Sequence, residues 1–219
     1  IIEISKISGI LLQDCFGGQT VRIENMCLQE CRKRKIMFPT KPDDKELEKR
    51  SRDKIKGATV LDPVKGLQRN VVVLDFQSLY PSIIRKFNIS PDTLIKENVK
   101  NVTVQTYDKF HESPVNAKFI DQSLYEGVFP SMLKSLLSAR QEVKKKMKMA
   151  SGDEKRVLDV KQIALKILAN SFYGYLGYIR ARLYVSENAN SVTAYGRDNI
   201  QKTKSIIEDD FGHRVVYGD

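Results

Sequence analysis

The sequence predicts an α+β fold, and three observations carry the prediction. Residues 71–76, VVVLDF, are a short apolar run rich in β-branched side chains, which favours a buried strand. Residues 131–150 and 154–173 each repeat apolar side chains at helical spacing, with Ser151-Gly152-Asp153 between them. That pattern reads as two antiparallel helices joined by a tight turn. Residues 213–217 read as a further strand, after a long helical stretch at 185–210.

The remaining elements follow in chain order. Residues 1–36 read as helical, with a turn near Gly17-Gly18 and the basic cluster Arg32-Lys33-Arg34-Lys35 at the end. Pro39 and Pro42 break that pattern. Residues 43–56, DDKELEKRSRDKIK, are almost wholly polar, so an exposed helix or linker is expected there, and with it a domain boundary. Pro81 is expected to open a helix, PSIIRKFN, because proline suits the first helical position. Residues 98–124 mix β-branched residues with turn formers and read as short strands or loops. In the hairpin, Met132, Leu136, Ala139, Val143 and Met147 form one apolar stripe. Val160, Ile163, Ile167 and Leu168 form the other.

A chain of 219 residues can bury a real core. Its 37 Lys and Arg against 27 Asp and Glu leave a net charge of +10, which suggests a polyanionic partner, most often nucleic acid. Charge alone also fits a merely basic surface. Cys27 and Cys31 share a helix face, but zinc normally takes four Cys or His ligands, and His111 and His213 are remote in sequence. Cys15, Cys27 and Cys31 therefore read as buried free thiols, in keeping with a reducing, intracellular location. No apolar run approaches membrane-spanning length, so no membrane partner is expected. The chain begins without methionine and stops at Asp219, in what reads as a strand entering a turn, so a segment of a larger protein is expected.

Asp75 raises the first chemical question. A carboxylate at the end of an apolar run is costly to desolvate without a partner. The candidates are a cation, a set of turn amides, or a metal. Asp219 follows Val215-Val216-Tyr217-Gly218 in a comparable setting. Two strands that each end in an aspartate would bring both acids together, and oxygen ligands suit Mg²⁺. Residues 77–80 precede a helix N-terminus, where free amides bind phosphate. Tyr80 adds a ring. On the hairpin, Arg140 and Lys144 share one helix face, and Lys166, Asn170 and Tyr173 share another. A charge run in isolation is an ordinary solvated face, and Tyr80 and Tyr173 fit a core equally well. Together, two facing helices with cationic donors form a polyphosphate clamp. A metal, such a clamp and aromatic platforms suggest nucleotidyl transfer.

These residues resemble a known family. Asp75-Phe76-Gln77-Ser78-Leu79-Tyr80-Pro81-Ser82 is similar to the first polymerase motif of B-family DNA polymerases, D-x-x-S-L-Y-P-S. Lys166-Ile167-Leu168-Ala169-Asn170-Ser171-Phe172-Tyr173-Gly174 resembles the second, K-x-x-x-N-S-x-Y-G. Tyr217-Gly218-Asp219 resembles the first half of the third, Y-G-D-T-D. The text between, such as Ser90-Pro91-Asp92-Thr93-Leu94, looks most like archaeal members.

The resemblance implies an α+β polymerase palm with an antiparallel sheet, a helical-hairpin fingers subdomain, and an N-terminal helical remnant of an exonuclease domain. It implies boundaries at 1–36 (exonuclease remnant), 37–56 (charged linker), 57–125 (first part of the palm), 126–178 (fingers) and 179–219 (second part of the palm). It implies template-directed DNA synthesis, with two Mg²⁺ ions (Mn²⁺ as a substitute) held by Asp75, the Phe76 carbonyl and Asp219. Ser78 and the Leu79 and Tyr80 amides would meet the triphosphate, and the Tyr80 ring would exclude a 2′-hydroxyl. Arg140, Lys144, Lys166 and Asn170 would grip the triphosphate, with Lys166 also a general acid. Tyr173 and Gly174 would border the nascent base pair. The implied partners are primer-template DNA, deoxynucleoside triphosphates, a sliding clamp, and the remaining polymerase segment with the thumb and the second acid of the third motif. Without that segment the chain is expected to be inactive. The contrasting expectation is a non-catalytic DNA-binding or assembly module of a degenerate polymerase.

Overall fold

Among the described residues helices dominate, and one small sheet sits among them. The structure is a computed structural model and describes residues 1–96 and 107–219. Its elements are α1 (Ile2–Ser8), α2 (Gln19–Lys33), α3 (Asp44–Ser51), α4 (Leu79–Lys86), β1 (Leu94–Ile95), β2 (Phe110–Glu112), β3 (Lys118–Ile120), α5 (Val128–Met149), α6 (Gly152–Leu176) and α7 (Ser186–Ser205). A 3₁₀ turn, Gln13–Phe16, precedes α2, and a π turn, Ile206–Asp210, extends α7. The fold is α+β. The sheet is antiparallel, in the order β1-β3-β2, with Phe119 opposite both Leu94 and His111. Part of the stretch expected to hold short strands or loops, 98–106, lies outside the described residues. Among the described residues no helix is long and apolar enough to cross a membrane.

The N-terminal helices form as the composition suggests. Gly17 ends the 3₁₀ turn and Gly18 caps α2, which buries Ile23, Cys27 and Cys31. All three cysteines are buried free thiols. Burial raises the Cys27 and Cys31 pKa values, so both stay protonated and unreactive. Helix α3 is capped by Asp43, whose carboxylate accepts from Glu46 N at 2.8 Å, and it buries no residue. Its Arg50 nevertheless ties it to the body. Arg50 Nη1 donates to the carbonyls of Ile179 and Ala181 at 2.9 and 2.8 Å.

Helices α5 and α6 pack as the antiparallel hairpin. Met132, Leu136 and Val143 are buried on α5, as their spacing requires. On α6 the buried face differs from the expected one. Val160, Ile163 and Ile167 are exposed, whereas Ala164, Leu165, Leu168, Ala169 and Phe172 are buried. Helix α6 is apolar around more than one face, and the face with two small alanines is the one that packs. Phe172 meets Phe129 of α5 edge-on, with ring centroids 5.6 Å apart.

The root of α5 is built by residues 88–93. Asn88 adopts a left-handed backbone (φ 52°), which asparagine tolerates better than most residues. Its side chain is fully buried and satisfied. Nδ2 donates to the carbonyls of Ile120 and Tyr125 at 2.8 and 2.7 Å, and Oδ1 accepts from Gly127 N at 2.9 Å. Asp92 accepts from Val128 N at 3.1 Å and from Tyr125 Oη at 2.8 Å, so it caps α5 from a distant part of the chain.

Three expectations are corrected. Residues 71–76 are not a strand: Val72 and Val73 are 81% and 86% exposed. A strand needs a ladder partner as well as a composition, and among the described residues nothing pairs with this run. Residues 213–217 are likewise not a strand. The chain end instead makes one isolated antiparallel bridge, Leu61 to Gly218, with Val64 N donating to Val216 O at 2.9 Å. Finally, α4 starts at Leu79, two residues before Pro81. Proline fits there because the first four helical N–H groups have no intrahelical acceptor to lose.

Candidate active site

The entry to α4 sets the site. Ser78 is left-handed (φ 53°, ψ 54°) and turns the extended run 71–77 into the helix. Ser82 N then closes the first turn onto Ser78 O at 2.9 Å. Leu79 and Tyr80, as first-turn residues, keep backbone N–H groups without helical acceptors. Phe76, Gln77, Leu79 and Ser82 also line a shallow cavity of about 150 Å³ with Lys86 and Asn199.

Tyr80 is the meeting point of three helices. Its ring centroid lies 4.5 Å from that of Tyr173 on α6, tilted by 48°. Gly196 of α7 closes the remaining contact: a β-carbon there would lie 3.2 Å from Tyr80 Cε1. Burial raises the pKa of both tyrosines, against a smaller lowering by Arg197. Both phenols are therefore neutral near pH 7.

The hairpin that carries Tyr173 also carries cations without acidic partners. Lys166, Asn170 and Gly174 are exposed on α6, and Lys144 is exposed on α5. Asn170 interrupts the apolar stretch Ile163–Phe172, but it points to solvent and needs no protein partner. Arg140 is half-buried, and its Nε donates to Gln162 Oε1 across the hairpin at 3.2 Å. Gln162 is held in turn by Asp159 at 2.9 Å. None of Arg140, Lys144 or Lys166 forms an ion pair among the described residues.

Asp75 and Phe76 are exposed, and Asp75 has no hydrogen-bond or ion-pair partner among the described residues. Asp219 accepts from Tyr217 Oη at 3.1 Å, a bond that also raises the Tyr217 pKa. The two aspartates are not joined by a shared ladder, since neither expected strand forms. Among the described residues no three His, Cys, Asp or Glu side chains gather as a metal cluster. The donor type still fits a hard divalent cation, because Asp75 is a free carboxylate and Asp219 keeps an open oxygen.

Sequence reasoning missed the α7 side of the site. Asn190, Thr193 and Arg197 strap residues 54–57 to α7. Lys56 N donates to Asn190 Oδ1 at 2.9 Å, and Lys56 O accepts from Thr193 Oγ1 at 2.8 Å. Arg197 Nη1 adds Lys56 O and Gly57 O at 3.1 and 2.7 Å. The spacing of these three residues, three then four, is a polar helix stripe and was the available signal.

The sequence profile described as DNA polymerase family B matches residues 11–219. The chain belongs to this family. Within family B it is 44% identical to a DNA polymerase of Pyrococcus glycovorans, over 99% of this chain and 27% of that protein. It is 32% identical to the DNA polymerase delta catalytic subunit of Bos taurus, over 100% of this chain and 20% of that protein. The solved family B DNA polymerase of Pyrobaculum calidifontis superposes with a TM-score of 0.77 at 34% identity, covering 100% of this chain and 28% of that one. The chain thus spans between a fifth and somewhat over a quarter of the length of these family B relatives.

Proposed function

We propose that this chain is the palm and fingers of a template-directed DNA polymerase. Residues 57–125 and 179–219 are then the two parts of the palm and residues 126–178 the fingers. Residues 1–36 are the tail of an exonuclease domain, joined by the linker 37–56. The observation that carries the reading is the contact of Tyr80 with Tyr173, on a hairpin whose exposed Lys144 and Lys166 form no ion pair among the described residues. It unites the first two polymerase motifs at one place, as a nucleotide site requires. The reaction would draw on primer-template DNA, deoxynucleoside triphosphates and the rest of the polymerase, inside the cell, with a sliding clamp as accessory.

Each residue then has a task. The Leu79 and Tyr80 amides and the Ser78 hydroxyl receive triphosphate oxygens at the positive end of α4. Arg140, Lys144, Lys166 and Asn170 hold the triphosphate from the hairpin, arginine by its fork and lysine as a point charge. Tyr80 lies under the deoxyribose, where a 2′-hydroxyl would meet its ring. Tyr173 and Gly174 border the new base pair. The primer 3′-hydroxyl passes its proton to solvent water and its oxygen bonds to the α-phosphorus, while the bond from that phosphorus to pyrophosphate breaks. Lys166 gives the leaving pyrophosphate a proton. Asp75, the Phe76 carbonyl and Asp219 would hold two Mg²⁺ ions, or Mn²⁺ in their place. Bound there, such ions supply charge neutralisation for both the attacking and leaving oxygens.

The test is Asp75→Ala in the polymerase that carries this chain. Nucleotide incorporation should be abolished while primer-template binding, measured by fluorescence anisotropy, persists. Near-normal incorporation by this variant overturns the assignment.

A further inference from the structure

Tyr80 is held in place by an absence on α7. Gly196 is buried in the middle of that helix, where glycine costs helix stability relative to alanine. Its φ is not in the left-handed region, so backbone conformation gives no reason for glycine there. The reason lies across the contact. A β-carbon would sit 3.2 Å from Tyr80 Cε1 and 4.0 Å from Cδ1, and, apart from its chain neighbours and the backbone of α7 itself, no other atom comes within 4 Å. We infer that Gly196 is a positioning residue for Tyr80, which sets how closely the tyrosine ring can stand to the sugar of the incoming nucleotide.

Helix α7 has little room to yield at this point. On one side Asn190, Thr193 and Arg197 bond the backbone of residues 54–57. The neighbouring Tyr195 stacks on Phe87, with centroids 3.7 Å apart and planes within 2°, and its Oη donates to Glu112 O at 2.9 Å. With α7 fixed at both contacts, an added methyl displaces the Tyr80 ring by a few tenths of an ångström. Tyr173 stands 4.5 Å from that ring, so the shift is passed to the surface that borders the base pair. The inference rests on the reading of Tyr80 as the residue that excludes a 2′-hydroxyl.

The experiment compares Gly196→Ala, Tyr80→Ala and the double variant in the polymerase that carries this chain. The readout is the ratio of kcat/KM for a deoxynucleotide to kcat/KM for the matching ribonucleotide. Gly196→Ala should shift this ratio about 3- to 10-fold, and the shift should vanish when Tyr80 is already alanine. Thermal melting supplies a second readout. Gly196→Ala should raise Tm in the Tyr80→Ala background, where only helix propensity acts, and raise it less or lower it beside the intact ring. A protein that folds only as the double variant also supports the clash. If Tyr80→Ala changes the ratio and Gly196→Ala does not, the positioning role is overturned and the reading of Tyr80 stands. If neither changes it, the reading of Tyr80 falls and the inference with it. An equal effect of Gly196→Ala in both backgrounds, or failure to fold in both, shows that the glycine serves something other than Tyr80 and overturns the inference.

Discussion

The ring of Tyr80 lies 4.5 Å from the ring of Tyr173, although 92 residues of chain separate them. The pair joins α4 to α6, and so joins the proposed sugar contact to the surface proposed to border the base pair. Replacing Tyr80 with alanine in the polymerase should relax sugar discrimination by at least about 10-fold, because a pocket that loses its wall no longer rejects an added hydroxyl. Single-nucleotide incorporation kinetics with matched ribo- and deoxynucleotides measure this. Unchanged ribonucleotide incorporation would show that Tyr80 is not the discriminating contact.

Asp92 should matter to folding rather than to chemistry. It caps α5 through Val128 N and also receives the Tyr125 hydroxyl, which burial and this bond hold protonated. Asp92→Ala should destabilise the protein by about 1–2 kcal/mol, the range for a lost helix cap that leaves a buried donor unpaired. Urea denaturation followed by circular dichroism gives the value. A change within error would mean that α5 is held by its apolar face alone.

High pH should unfold the protein through its tyrosines. Burial pushes Tyr184 and Tyr195 up to about 12, and a hydrogen bond to Asp53 adds to the rise at Tyr184. An unfolded tyrosine titrates near pH ~10. The folded values are raised, so this stability is full below about pH 10 and is lost as pH climbs towards about 12. Tyrosinate absorbance and far-UV circular dichroism should change together over that window. Free titration of all tyrosines near pH ~10, with secondary structure intact, would contradict it.

DNA binding should be electrostatic. Arg85, Lys86 and Lys134 line an open basin of about 590 Å³ beside α4, and Lys144 and Lys166 stand exposed on the hairpin. Affinity of the chain for primer-template DNA should fall linearly on a log–log plot against salt. Lys144→Glu should shallow that slope by about one counterion. A salt-independent affinity would exclude phosphate contacts as the main term.

The fold was legible where local pattern and tertiary packing agree. On α5 the expected stripe holds at Met132, Leu136 and Val143, while Ala139 and Met147 are only half-buried and Leu133 joins the buried face. On α6 the apolar residues cover neighbouring faces, so periodicity could not decide between Ile163 and Leu165. The packing of two alanines decided it. Residues 71–76 show the same limit in another form, since composition announces an apolar run but says nothing of the ladder partner. The motif residues of the candidate site were visible because chemistry is concentrated in them. Gly196 was not, because a missing side chain leaves no mark until a ring from another helix is found against it.

Asn88 sets a pivot. Its three buried hydrogen bonds fasten the start of α5 to the small sheet, while the far end of the hairpin has no such attachment among the described residues. Arg140 and Lys144 lie roughly 18 and 24 Å along the helix axis from that root. A rocking of about 10° there carries both cations through some ~3–4 Å, enough to make or break a phosphate contact. Were the hairpin to rock as a lever about this root, Asn88 would belong to its fulcrum.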